Sequence, residues 1–297
     1  MTPESAPILA PPVVKPPKRL QVYFHPKVNA AQQLADEMTR HLRKLGADVE
    51  AVPVGDDEAV ARLPEQDMIA VIGGDGSMLR SGIMAAPHNV PVLGINYGRL
   101  GFLAEVQPDE WKGAVARILV GDYWLEERMM LHTEHRRGEE FLDSFEVLNE
   151  TVISRGTTAR PVRLRTLIDG DELTTYVADG LLVGTATGST AYAMALGGPI
   201  LPPELKNILI IPIAPHLSLE RAIVLSHGAM LDIFVRTEHQ AILNADGRIE
   251  ISLQDGDQIS ICMSKHATHF VRVQDPVYFY RSLTSRMTHN PSADKAK

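Results

Sequence analysis

Residues 67–76 read DMIAVIGGDG: five apolar residues in a row, Met68 to Ile72, then glycines closing around a single carboxylate, Asp75. The run does not alternate, so neither face is offered to water, and it is too short for a helix. It reads as a strand buried on both faces, the kind found in parallel sheets covered by helices. The flanking sequence repeats the theme. RLQVYFHP (19–26) reads as a strand, and AAQQLADEMTRHLRKLG follows with Leu34, Met38, Leu42 and Leu45 at helical spacing and Gly46 as a stop. ADVEAVPV reads as a strand, SMLRSGIMAA as a helix, VPVLGIN as a strand and PDEWKGAVARILVG as a helix. This alternation predicts a doubly wound, Rossmann-like parallel sheet, with ligands beyond the carboxyl ends of its strands. The Gly73–Gly76 turn stands at one such end.

From about Met130 the texture changes. VRLRTLIDGDELTTYV alternates around Asp169-Gly170, a hairpin signature. NILIIPI, RAIVLS, MLDIFVR, IEISLQDGDQISICM and THFVRV are further short strands between turn residues, which predicts an all-β, sandwich-like domain. The expected organisation is a Pro-rich disordered arm over 1–18, an α/β domain over 19–128 and a β-sandwich-like domain over 129–275. A last segment, 276–297, is expected to hold a closing helix in VYFYRSLTSRM, returning to the first domain, and a disordered tail.

Bulk properties narrow the functions. The net charge of −8 argues against a nucleic-acid surface, which needs clustered Lys and Arg. No segment reaches the ~18 apolar residues of a membrane span, and the proline-dense start does not read as a signal peptide. One cysteine, Cys262, excludes an internal disulfide and reads as a small buried apolar residue, so a reducing, cytoplasmic setting is expected. His132 and His135 (HTEH), like His266 and His269 (HATH), have the spacing of ligands on a helix, but neither pair has a third ligand nearby, and HATH lies amid strands.

Four stretches carry the candidate chemistry. In GGDG, glycines at 73, 74 and 76 permit positive φ and close approach to a ligand, and the helix that follows can aim its free N–H groups at a phosphate. A carboxylate there would repel phosphate unless it accepts a proton from an attacking hydroxyl, holds a phosphate-bridging Mg²⁺, or caps the helix. GINYGRLGFLAE (94–105) is a second glycine-rich loop with Arg99 to meet donor phosphates, or else a tight turn with a solvated arginine. In VLNETVISRG, Asn149 and Glu150 suit ribose hydroxyls and an adenine edge, or form an ordinary loop. ADGLLVGTATGSTAYAMALGGPI (178–200) is rich in glycine, threonine and serine, as polar ligand pockets are, with Tyr192 to stack on a base and Asp179 to accept a hydrogen bond.

In this order and at these spacings, GGDGS, GINYGRLGFL, LNE and DGLLVGTATGSTAYAMALGGPI resemble the sequence blocks of the NAD kinase family, with ERMML and APHLSLER as two more stretches. The resemblance runs from about Arg19 to Met287. It implies transfer of a phosphoryl group from ATP or polyphosphate to the 2′-hydroxyl of the adenosine ribose of NAD. It further implies an α/β domain followed by a β-sandwich with the site in a crevice between them, and a homodimer or homotetramer in which a neighbouring subunit contributes to the pocket. Mg²⁺ would arrive with the donor, with no metal site built from protein side chains alone.

By the same resemblance, Asp75 is the proton acceptor, and Gly76 and Arg80 lie on its ligand-binding stretch. Asn149 and Glu150 lie near the adenosine. Asp179 and the run Thr190, Ala191, Tyr192, Ala193, Met194 and Ala195 form the dinucleotide pocket. Arg160 and Arg248 approach the ligand, and Gly73, Gly74 and Arg99 face the donor. The chain departs from the family in reading Ala186 where proline is usual and Arg248 where glutamine is common, and His216 is given no role. Another Gly-Gly-Asp-Gly kinase, of lipids or of the phosphofructokinase kind, and a non-catalytic NAD(P) sensor are the alternatives.

Overall fold

The computed structural model describes residues 15–97, 101–216 and 219–288. Arg99 and residues 1–14 and 289–297 lie outside the described residues. The chain packs as two compact units that interleave along the sequence. Among the described residues, the first holds those up to Ser81, Val90–Glu126 and those from His269; the second holds Gly82–Asn89 and Glu127–Thr268.

In chain order the first half contains β1 (Arg19–Phe24), α1 (Asn29–Lys44), β2 (Asp48–Pro53), α2 (Asp57–Ala61), β3 (Met68–Gly73), α3 (Asp75–Ala85), β4 (Val92–Asn96) and α4 (Trp111–Ile118). The rest contains β5 (Trp124–Arg137), β6 (Glu140–Val147), β7 (Glu150–Arg155), β8 (Val162–Ile168), β9 (Asp171–Ala178), β10 (Gly180–Thr185), α5 (Tyr192–Ala195), β11 (Asn207–Ile213), β12 (Ile223–Ser226), β13 (Leu231–Arg236), β14 (Ala241–Ala245), β15 (Ile249–Leu253), β16 (Asp257–Arg272) and α6 (Tyr278–Thr288).

The first unit is built on a parallel sheet in the order β2-β1-β3-β4, joined beyond β4 by the end of β16 through Phe270. Every residue of β3 is buried, as its unbroken apolar run requires. On one face Leu20, Val22, Ala70, Ile72, Leu93 and Ile95 pack against Met38 and Leu42 of α1 and Trp111 and Val115 of α4. Gln21 and Tyr23 point to the opposite face, where the Gln21 amide donates to the Ala59 carbonyl of α2. Each fully buried aliphatic side chain contributes roughly 1.5–3 kcal/mol, so the double-sided core accounts for much of the unit's stability. Residues 15–18, expected within a disordered arm, are tied down. Tyr123 Oη donates to the Lys15 carbonyl, and the Lys18 N–H donates to Asp67.

The second unit is a sandwich. One antiparallel sheet runs β12-β11-β10-β7-β14-β15; the other contains β9-β8-β13-β16, with β5 pairing β16 and β6. Ile153, Leu181, Val183, Ile210 and Leu243 from the first meet Leu164, Tyr176, Ile233, Val235 and Ile261 from the second. The outer face of β10 and β11 is also covered, Leu182, Leu209 and Ile211 packing with Ala193 of α5, which explains why these two strands are apolar throughout. The β8–β9 hairpin turns through Asp169 and Gly170, both at positive φ.

Several expectations change. THFVRV is not a separate strand but the end of the 16-residue β16. The β5–β6 hairpin, unanticipated, turns at Gly138 (φ 61°). HATH lies on a strand as expected, and HTEH lies on one too; residues three apart on a strand point to opposite faces, so neither pair can chelate as a helical pair would. His132 instead bonds Glu146 at 2.8 Å and His135 bonds buried Asp257 at 2.9 Å. Cys262 is half-buried rather than buried.

Candidate active site

The order β2-β1-β3-β4 reverses direction between β1 and β3, and in open α/β sheets ligands sit in the crevice at such a reversal. There β3 runs straight into α3. None of Gly73, Gly74 and Gly76 adopts positive φ, contrary to expectation. Gly73 is required for closeness instead: a Cβ there would stand 2.6 Å from Ser77 Oγ. Beside Gly74 and Gly76 the corresponding space is open.

Gly74 holds the cap position, its carbonyl accepting from the N–H groups of Ser77 (2.9 Å) and Met78 (3.2 Å). Asp75 is therefore the first residue of the helix, and its carboxylate is engaged elsewhere. The Phe102 N–H donates to Oδ2 at 2.7 Å and the Leu103 N–H donates to Oδ1 at 3.1 Å. A Cβ on Gly101 would lie 2.0 Å from Oδ1, so only glycine lets this turn close over the carboxylate. The turn belongs to the second glycine-rich loop of the sequence, where a donor-phosphate loop and a tight turn are both open; neither reading gives it the seat of Asp75. Arg80 is exposed on α3.

In the second unit the sequence LNE begins β7. Asp246, in the β14–β15 turn at φ 53°, accepts three backbone N–H groups: Leu148 at 2.8 Å, Asn149 at 2.7 Å and Glu150 at 3.1 Å. Burial raises its pKa despite those three donors. Burial, and then the charge of Asp246, pushes the Glu150 carboxyl up to about 8. Glu150 Oε2 is buried without a hydrogen-bond partner. Asp246 was not singled out in the sequence; Arg248, two residues on, is exposed.

The glycine- and threonine-rich stretch locks onto the same three residues. Thr185 Oγ1 donates to the Leu148 carbonyl at 2.6 Å, and the Thr185 N–H donates to the Asn149 carbonyl at 2.9 Å. A Cβ on Gly188 would lie 2.3 Å from that carbonyl oxygen and 2.9 Å from Glu150 Oε2. A short 3-10 turn (Gly188–Thr190) and α5 follow, broken at Ala191, with Thr190 Oγ1 donating to the Thr187 carbonyl. Tyr192 is exposed, Ala193 is buried, Met194 is half-buried and Ala195 is exposed.

Asp179 and Arg160 belong to a different place. β7 and β10 pair antiparallel with Gly184 opposite Glu150 and Gly180 opposite Ser154, so Asp179 lies at the far end of the pair. At ~3.4 Å per residue it stands about 17 Å from Glu150. There its carboxylate meets Arg155 at 2.8 Å. Arg160, past the same end of β7, lines a cavity of about 480 Å³ with Arg163, Val177, Arg236 and His239.

A parallel α/β unit with a seated carboxylate at its switch point, and an all-β unit in which a glycine- and threonine-rich turn closes on a buried acidic pair, suit a phosphotransferase of the kinase kind. Comparison with known proteins gives the particular family. Residues 18–123 match the ATP-NAD kinase N-terminal domain and residues 148–273 the ATP-NAD kinase C-terminal domain. An NAD kinase of Chloroflexus aurantiacus is 36% identical over 271 residues, covering 91% of this chain and 98% of that protein. One of Dehalococcoides mccartyi is 33% identical over 92% of this chain and 97% of its own. Among solved structures, an Archaeoglobus fulgidus NAD kinase in complex with ATP is 25% identical, with a TM-score of 0.72 over 90% of this chain and 98% of that one. A yeast NADH kinase complexed with NADH shares the fold, with a TM-score of 0.81 at 24% identity over 93% of this chain and 89% of that one. The chain belongs to the NAD kinase family.

Proposed function

We propose that the protein transfers the terminal phosphoryl group of ATP, or of polyphosphate, to the 2′-hydroxyl of the adenosine ribose of NAD, giving NADP. The observation that carries this is the Asp75 carboxylate, set by two amide N–H groups at the carboxyl end of β3. The ribose oxygen forms a bond to the terminal phosphorus as the bond to the bridging oxygen breaks. The hydroxyl proton passes to Asp75, and the shortened donor leaves with the electron pair. Gly73, Gly74 and Arg99 face the donor in this reading, and Gly76 and Arg80 the dinucleotide.

Asn149 and Glu150 would hold ribose hydroxyls and the adenine edge. With a carboxyl raised to about 8, Glu150 carries its proton at neutral pH and can donate as well as accept. Thr190, Ala191, Ala193, Met194 and Ala195 would line the recess, with Tyr192 stacking on the base. Mg²⁺ keeps water and phosphate oxygens in its shell, so it would come with the donor, where it neutralises phosphate charge.

The 17 Å span along β7 supports a homodimer or homotetramer, in which Asp179 and Arg160 of one copy complete the pocket that Glu150 begins in another. Among the described residues no helix is long and apolar enough to cross a membrane. With its single cysteine the chain suits a reducing cytoplasm.

The test is to incubate the pure protein with NAD, Mg²⁺ and each donor, and to locate the new phosphate by ³¹P NMR. Asp75→Asn is expected to bind NAD in calorimetry with its affinity kept and to lose about 10²–10⁴-fold in turnover. Phosphate appearing elsewhere than the 2′ position, or full turnover in the variant, would overturn the reading.

A further inference from the structure

Asp75 is held by backbone, so something must hold the backbone. The turn Gly101–Leu103 is pinned from the C-terminal end of the chain. The Arg272 guanidinium, at the end of β16, donates through Nη1 to the Leu103 carbonyl at 2.8 Å. Its Nε and Nη2 donate to the two Glu126 oxygens at 3.2 and 2.9 Å. Glu105 Oε2 stands 3.8 Å from Arg272 Nε, while Glu105 Oε1 accepts the N–H groups of Val273 and Gln274. Arg272, Glu105 and Glu126 are all buried. The neighbouring ring is fixed as well: Arg286 of α6 lies over Phe102, 5.3 Å from its centroid, and over Tyr278.

We infer that Arg272 is a positioning residue for the phosphoryl transfer: its buried guanidinium fixes the Leu103 peptide, and through the N–H groups of Phe102 and Leu103 it sets the direction of the Asp75 carboxylate. The geometry argues for a task beyond stability. A buried ion pair is a poor source of stability compared with an apolar filling. Here the planar fork spends two donors on Glu126 and one on the carbonyl of Leu103, the residue whose own N–H meets the carboxylate. An ammonium in its place could reach Glu126 or the carbonyl, but it lacks the rigid fork that reaches both in one orientation.

The inference rests on the role proposed for Asp75. Arg272→Met would strip the counter-charge from two buried carboxylates and endanger the fold, so Arg272→Lys is the informative variant, with Arg272→Met/Glu126→Gln as a charge-compensated second. Full-length proteins are compared in three measurements. In the wild-type background, Arg272→Lys is expected to lower kcat about 10–100-fold, as a misplaced reacting group does. KM for NAD is expected to move less than about threefold, because uniform binding is untouched. In the Asp75→Asn background the same change is expected to cost nothing further in residual turnover, because both act through one group. Deuterium uptake in the segment spanning 101–106 is expected to rise in Arg272→Lys and in the compensated variant, with uptake in α1 and β10 unchanged.

An equal loss of kcat in both backgrounds, or unchanged uptake over 101–106, overturns the inference. Should Asp75→Asn keep full turnover, the role of Asp75 fails. The uptake measurement then still decides whether Arg272 holds the turn.

Discussion

Glu150 shows how one side chain's surroundings set its chemistry. Its carboxyl is buried beside Asp246, whose oxygens are taken by three N–H groups, and its pKa rises from 4.5 to about 8. Between those values the folded protein keeps a proton that the unfolded chain has released. Stability must therefore fall as pH rises from about 4.5 to about 8, and level off above. Glu150→Gln copies the protonated form and removes that slope. Its urea midpoint, set against the wild type's, is expected to gain steadily from pH 5 to pH 9, and parallel curves would show that Glu150 ionises normally. Nothing in the string LNE announces this behaviour. Burial is the larger cause, and the charge that adds to it, on Asp246, is 96 residues away in the chain.

Elements position these residues through close approaches that only glycine permits. Gly188 brings the TGST turn against the Asn149 carbonyl, where a methyl group would lie 2.3 Å from the oxygen. Gly188→Ala must push the turn off β7. The expected cost is about 1–3 kcal/mol, as for overpacked sites, read from the shift in denaturation midpoint. NAD affinity should weaken with it, since the displaced backbone carries Asn149 and Glu150. An unchanged midpoint and affinity would mean the turn has room that the structure denies. Gly73 is a milder case, since the contact is with the small side chain of Ser77. The glycines stand out in the sequence as turn residues, but their reason does not. Positive φ was the natural expectation at Gly73, Gly74 and Gly76; the backbone there is ordinary and Gly73 is set by proximity.

For the molecule as a whole, the separation of Asp179 from Glu150 along β7 and β10 leads to a test by complementation. If the pocket is shared between copies, Asp75→Asn and Asp179→Ala should each be inactive alone. After subunit exchange at equal amounts, the population should regain about a quarter of the wild-type turnover, because about half of the dimers are mixed and one of the two shared sites in each is intact. No recovery under conditions where exchange is verified by mass would place Asp75 and Asp179 in separate roles. The result is independent of what Arg272 does, since that contact lies within the first unit.

The period of the apolar residues was enough to read the parallel strands of the first unit, the main helices and most strands of the sandwich, because burial on one face or two leaves its mark on neighbouring positions. GGDG and LNE could likewise be marked as sites from residue type and order. The partners of those sites could not. The Asp75 carboxylate meets amides 27 and 28 residues on, and the carbonyl of the second of those residues, Leu103, is held by Arg272, 169 residues beyond it. Main-chain donors look alike in any sequence, and a buried arginine near two glutamates reads like any charged stretch until the chain has folded. Which groups meet is decided by sheet order and close packing, and no local pattern carries that information.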